Sequence, residues 1–199
     1  MPEIFGNAWR GLRGVARFSG RDTAAQFWAY AGIVIGLSMV AMVAVTAPMM
    51  MTTIARMQKF AAEHPDQATV TSGPGSYSIS IEGNHPELMQ DVGGFAVAIS
   101  VISGIALLLV ASAVTRRLHD RGRAGYWGLP TAIFLIVGLV MMPGLFANFA
   151  AGTGEPDMGL FALIFVNNIL YLGSLAALLF QLVQSGTKGP NRYGDDPRG

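Results

Sequence analysis

The sequence predicts an all-α, polytopic membrane protein with four transmembrane helices and both termini in the cytoplasm. Three observations carry that expectation. Of 199 residues, 52% are hydrophobic and only 13% charged, with a mean hydropathy of +0.45, too apolar for an ordinary soluble domain. The charges leave four long apolar runs untouched. The basic residues gather on one set of connections. The whole chain, residues 1–199, reads as a single membrane domain.

The four spans are about residues 27–54, 92–115, 126–150 and 159–184. Each reaches the ~20 residues that cross a hydrocarbon core of ~30 Å as a helix. Transmembrane strands would alternate polar with apolar residues, which these runs do not. Pro130 falls in the first turn of the third helix, where proline is tolerated. Pro143-Gly144 is expected to end or kink that helix.

Residues 1–26 form a basic arm with Arg10, Arg13, Arg17 and Arg21 and no apolar run, so no cleavable signal peptide is expected before the first span. In it Phe5, Trp9, Leu12 and Ala16 share one face at helical spacing. The arm is therefore expected to be a cytoplasmic amphipathic helix lying on the membrane surface, with Trp and Arg at headgroup level. Gly6, Gly11 and Gly14 weaken that helix, and a flexible arm is the alternative.

Orientation follows from the flanks. The loop after the second span carries Arg116, Arg117, Arg121 and Arg123, and the tail, residues 185–199, carries Lys188, Arg192 and Arg198. With the arm, that makes eleven basic residues on one side, against Arg56 and Lys59 on the other. The positive-inside rule puts the termini in the cytoplasm. Seven of the twelve acids fall on the outer side: Glu63, Asp66, Glu82, Glu87, Asp91, Glu155 and Asp157. The external loop, residues 55–91, holds Val70, Tyr77, Ile79 and Ile81 around Gly73-Pro74-Gly75. That pattern predicts a small β-hairpin of low stability, with disorder the alternative.

Three cytoplasmic segments are polar and glycine-rich: FSGRDTAAQFW (Phe18 to Trp28), RRLHDRGRAGYW (Arg116 to Trp127) and GTKGPNRYGDDP (Gly186 to Pro197). Together they resemble the bacterial inner-membrane family catalogued as domain of unknown function 805. The resemblance covers nearly the whole chain apart from the long outer loop. Where the family pattern has a second Arg, an acid, a Ser and a first Trp, this chain has Ala24, Gln26, Ala124 and Tyr126. The resemblance implies an inner-membrane location and an unassigned activity, and supplies no catalytic residue.

The residues themselves predict that the three motifs meet in a membrane-proximal cap. Its members are Gly20, Arg21, Arg116, Arg117, His119, Asp120, Gly122, Arg123, Gly125, Asn191, Arg192, Tyr193, Gly194, Asp196 and Pro197. Arg–carboxylate pairs are strong when bidentate and desolvated, and Gly122, Gly125, Gly189 and Gly194 permit tight turns. Asp120 and either Asp195 or Asp196 are expected to clamp arginines from neighbouring motifs and so fix helix order. The alternative is contact with anionic lipid headgroups, each Arg at the inner surface being worth ~1 kcal/mol. Within the membrane, Gly32 and Gly36 form a GxxxG pair expected to pack against another helix of the chain, with Ser100 and Gly104 a second small pair.

No catalytic residue, cofactor or metal is expected. His119 and Asp120 are adjacent, so on a helix their side chains diverge by ~100° and make no dyad. His119 is expected to bond a backbone carbonyl. Methionines crowd the outer side (Met49, Met50, Met51, Met57, Met89, Met141, Met142 and Met158) beside His64 and His85. Thioether and imidazole suit Cu(I), but the run lacks regular ligand spacing, and gap-filling packing is the favoured reading. The absence of cysteine excludes disulfides and thiol chemistry. A net charge of +1 argues against a nucleic-acid partner.

The expected partners are the lipid bilayer, anionic headgroups and another membrane protein. The expected role is a non-enzymatic envelope or accessory component. A small transporter or channel subunit comes second, disfavoured because no span carries an ionisable residue. A lipid-binding or lipid-modifying protein comes third.

Overall fold

The computed structural model describes residues 2–83, 85, 88, 92–151 and 157–198. Glu87, Met89, Asp91, Glu155 and Gly199 lie outside the described residues. The helices are α1 (Pro2–Arg13), α2 (Ala24–Glu63), α3 (Val92–Asp120), α4 (Leu129–Ala151) and α5 (Met158–Val183). Two strands, β1 (Ala68–Gly73) and β2 (Ser76–Ile81), stand between α2 and α3. A short 3-10 turn, Gly125–Gly128, leads into α4.

Four of these helices are long and apolar enough to cross a membrane. Their outer faces stay apolar: Leu108 is 72% exposed and Val140 74%. Such a surface is stable in lipid and costly in water.

Helix α2 starts earlier and ends later than its apolar run. Thr23 and Gln26 close a capping box, Thr23 Oγ1 accepting from the Gln26 amide at 3.2 Å and Gln26 Oε1 accepting from the Thr23 amide at 2.9 Å. Beyond Ile54, the segment ARMQKFAAE is rich in good helix formers. The helix therefore continues to Glu63 and takes up the first part of the expected outer loop. Its 40 residues span about 60 Å, twice the hydrocarbon thickness.

The hairpin is formed. β1 and β2 pair antiparallel with Val70 opposite Ile79 and Ala68 opposite Ile81. Pro74 and Gly75 make the turn, Gly75 at φ +81°, the left-handed position that a type II turn reserves for glycine. Helix α4 does not end at Pro143 but runs through it to Ala151. Proline removes a single intrahelical bond there, and an apolar flank offers the freed backbone no water.

The helices pack in chain order: α1 on α2, α2 on α3, α3 on α4 and α4 on α5. The tightest core lies at the end that carries both termini. Phe27, Tyr30, Ala31 and Val34 present the i, i+3, i+4, i+7 face of α2 to Ala113, Leu118, Leu178 and Leu182. Polar ties cross between these apolar helices, where a neighbouring backbone carbonyl is the partner at hand. Tyr30 donates to the Leu109 carbonyl at 3.0 Å, Ser100 to Leu139 at 3.1 Å and Asn167 to Phe134 at 3.0 Å.

The GxxxG expectation is corrected. A Cβ built at Gly32, Gly36 or Gly104 would meet nothing within 4 Å. The packing face of α2 is set by Phe27, Tyr30, Ala31 and Val34, and the two glycines fall off it.

Helix α1 forms as expected, though Ala16 lies beyond its end. Gly11 proves to be its contact point: a Cβ there would stand 2.3 Å from the Tyr30 ring. The glycine that lowers helix propensity is what lets α1 lie against α2.

Candidate functional site

The cap is organised by the last turn of α3. Arg117 and Asp120 lie three apart and so share a face, whereas Arg116 and Arg117 diverge by ~100°. Arg116 turns toward the N-terminal segment and Arg117 toward α5. The helix closes with the Gly122 amide bonded to the His119 carbonyl at 2.9 Å and the Arg123 amide to Leu118 at 2.9 Å. This is the Schellman pattern, and Gly122 takes the left-handed φ of +69° that it requires.

Asp120 is the centre. Its side chain and those of Arg21 and Arg117 are each 1% exposed. Arg21 donates to Oδ1 from Nε at 3.2 Å and from Nη2 at 3.0 Å, and Arg117 Nη1 donates to Oδ2 at 2.6 Å. Two buried cations on one carboxylate, with the half-exposed Arg198 a third at 4.0 Å from Oδ1, leave positive charge to be spread over neutral acceptors. Arg21 reaches the carbonyls of Thr187 at 2.7 Å, Gly189 at 2.8 Å and Gly194 at 3.2 Å. Arg117 reaches those of Leu182, at 2.9 Å, and Gln184. Arg121 adds a bond to the Gln181 carbonyl at 2.9 Å. The open carbonyls at the C-terminus of α5 are thus capped by Arg117 of α3 and Arg121 just beyond its end.

A second pair lies alongside. Arg116 Nε donates to Asp22 Oδ2 at 2.7 Å, both side chains being buried. Arg116 Nη1 also donates to the carbonyls of Gly14, at 2.7 Å, and Arg17, and Ser112 Oγ donates to Gly14 at 3.1 Å. These bonds fasten the end of α1 to α3.

The tail closes over the cap. The Thr187 amide and hydroxyl both donate to the Asp120 carbonyl, at 2.8 and 2.9 Å. Asn191 Nδ2 donates to the His119 carbonyl at 3.0 Å. The His119 ring stacks on Tyr193 with centroids 3.8 Å apart, and its Nδ1 lies 3.2 Å from the Gly20 carbonyl. A carbonyl only accepts, so that contact puts the proton on Nδ1. The Arg192 guanidinium lies over the Tyr193 ring at 4.7 Å and donates to the Gly122 carbonyl at 3.2 Å.

Several expected members sit elsewhere. Asp195 is exposed, and among the described residues it bonds no neighbouring motif. Asp196 does not clamp an arginine of another motif: it bonds Arg198 at 2.7 Å and the Gly189 amide at 2.8 Å, both in the tail. The bond from Arg198 holds the Asp196 carboxyl well below the usual carboxylate range. Arg123 is exposed and lies over Trp127 at 5.3 Å, because the chain reverses at Gly122. Gly125 packs on Thr115, and Pro197 is half-buried between Asp196 and Arg198.

Asp22 and Thr187 belong to the cap although neither is among its expected members. Asp22 is the one acid of the N-terminal motif and directly precedes the Thr23–Gln26 capping box, a local signature that fixes its place at the mouth of α2.

The buried centre of the cap is bonded internally. Both Asp120 oxygens carry charge-assisted bonds, and His119 is bonded and stacked. Among the described residues no three His, Cys, Asp or Glu side chains gather in a metal-holding group. On the other side of the spans, His64 and His85 both pack on Phe60, with centroids 4.4 Å away in each case.

The family model described as protein of unknown function (DUF805) matches residues 15–195. Two similar relatives are the uncharacterized protein YiiR of Escherichia coli strain K12 and its counterpart in Escherichia coli O157:H7. Each is 36% identical over 95 residues, which is 46% of this chain and 56% of the relative. The chain therefore spans little more than half the length of the curated relatives it matches. No solved structure matches.

Proposed function

This chain belongs to the DUF805 family, and from that premise we propose that it is a non-enzymatic accessory component of the bacterial inner membrane. In this reading it crosses four times, with both termini and the cap in the cytoplasm. The excess of arginine around the cap supports that orientation. One observation supports the non-enzymatic role above others: the charged groups that look most like a site are used up internally. Asp120, Arg21 and Arg117 satisfy one another and the α5 carbonyls, so the motifs act as a latch that fixes helix order.

Two measurements test this. Reporters fused after Arg121 and at Gly199 should read cytoplasmic, and one placed in the β1–β2 turn should read external. Cross-linking in intact membranes should give a discrete product with one other membrane protein, while purified protein in vesicles should move no solute. An external reading at Gly199 would overturn the orientation, and flux through the purified protein would replace the accessory role with transport.

A further inference from the structure

We propose that α1, α2 and α3 bind one anionic phospholipid, its acyl chain in a cleft beneath α1 and its phosphate on Arg13 and Arg17, at and just beyond the end of α1. The proposal goes beyond the accessory reading and needs only that the four spans lie in a bilayer.

The cleft is open, apolar and about 430 Å³ in volume. Phe5, Trp9 and Leu12 overhang it from α1, and its walls run down α2 from Tyr30 to Ala41 and along α3 past Leu109, Ile105 and Ile102. The stretch from Tyr30 to Ala41 rises about 16 Å, half of a ~30 Å hydrocarbon core. The cleft is therefore one leaflet deep. Its two hydroxyls are already spent, Tyr30 on the Leu109 carbonyl and Ser38 on the Val34 carbonyl, so what remains suits hydrocarbon. The roof is fixed, because Gly11 abuts Tyr30 and the Gly14 carbonyl is held by Ser112 and Arg116.

On the other flank of α1 lies a polar pocket of about 360 Å³ that includes Arg10, Arg13 and Arg17. Trp9 lines both spaces. The Arg13 guanidinium lies 5.0 Å from the Trp9 ring, which places a cation at the junction of the two. Asp22 also lines this pocket, but one of its oxygens is bonded by Arg116, and Arg10 stands 3.9 Å from the other. Among the described residues no carboxylate pairs with Arg13 or Arg17. An apolar slot one leaflet deep beside cations without counter-charge matches an anionic lipid. A zwitterionic lipid brings its own cation beside the phosphate and leaves the site with excess positive charge, and a soluble phosphate would leave the slot empty.

The test is native mass spectrometry of the full chain, gently extracted from vesicles of equal phosphatidylglycerol and phosphatidylcholine. Wild type should retain one phosphatidylglycerol in preference to phosphatidylcholine by about fivefold per engaged arginine at low salt, with the preference falling as salt rises. Arg13→Gln with Arg17→Gln, both exposed and outside the core, should bring retention to the bulk ratio. Ile105→Trp should fill the slot and abolish retention of either lipid. Equal retention by wild type, or an unchanged preference in the double variant, overturns the proposal. Soluble glycerol phosphate that displaces the lipid at comparable concentration overturns it in favour of a headgroup site alone. Loss of a dimer with Ile105→Trp, lipid retention unaltered, overturns it in favour of a second copy of the chain.

Discussion

Asp120 and Gly186 occupy what would be one volume if residue 186 had a side chain: a Cβ there would stand 1.9 Å from Asp120 Oδ2. The carboxylate has nowhere to retreat, since Arg21 holds one oxygen and Arg117 the other. The glycine that opens the tail motif is therefore a steric condition for the buried pair.

Gly186→Ala should consequently destabilise the fold although it adds one methyl group. Overpacking of this kind costs about 1–3 kcal/mol. The thermal midpoint of purified protein in detergent should fall measurably. An unchanged midpoint would mean that the tail lifts away from Asp120 without cost.

Removing the carboxylate should cost more. Asp120→Ala leaves Arg21 and Arg117 buried without a counter-charge, and breaking one partner of such a cluster costs about 3–5 kcal/mol. Asp195→Ala, at an exposed neighbouring acid, should stay within about 0.5 kcal/mol of wild type. Denaturation of both variants in the same detergent gives the comparison. Equal effects would contradict the burial of Asp120.

The division between what the sequence shows and what it hides follows the range of each interaction. The four spans were legible because hydropathy is a local property, and the hairpin because Pro74-Gly75 declares its own turn. Membership of Arg21, Arg117 and Asp120 in one cap was legible from charge and position. Their pairing was not, because Asp120 meets Arg21 from 99 residues away, and nothing local ranks Asp120, Asp195 and Asp196 as partners. Asp22 lies outside the expected set although Thr23 and Gln26 mark its neighbourhood. The extension of α2 to Glu63 escaped a reading based on hydropathy, since helix propensity continues after apolarity stops.

The tail carries a pH response whose sign follows from Asp196. Its carboxyl titrates below its ordinary value of 3.8 because of the bond from Arg198, with backbone amides of Gly189 and Arg198 contributing. A depressed folded value means the contribution is fully present above the unfolded value and is lost as pH falls through the folded one. Hydrogen exchange at the Gly189 amide, measured in wild type and in Asp196→Asn so that intrinsic pH dependence cancels, should differ by a constant factor from neutral pH down to about pH 4. The difference should close only in stronger acid. A difference that closes between pH 7 and pH 5 would assign the protection to another group.

The last expectation concerns Gly36, where spacing and structure disagree. A GxxxG pair creates a shallow groove, but a groove packs only if it lies on the face that meets a neighbour. On α2 that face runs through Phe27, Tyr30, Ala31 and Val34. Gly32 and Gly36 are exposed, and a Cβ at either would meet nothing within 4 Å. Gly36→Leu should therefore leave the monomer's thermal midpoint unchanged or slightly raised, since an exposed helix interior gains roughly 0.8–1 kcal/mol on losing a glycine. Tyr30→Ala supplies the contrast: it removes a core ring, its bond to the Leu109 carbonyl and the surface on which Gly11 rests. Losing a large buried aromatic side chain costs about 3–5 kcal/mol. Both variants should be followed by thermal unfolding in the same detergent, with cross-linking to report oligomers. A midpoint lowered by Gly36→Leu as far as by Tyr30→Ala would return the glycines to the packing face and displace the helix arrangement described above.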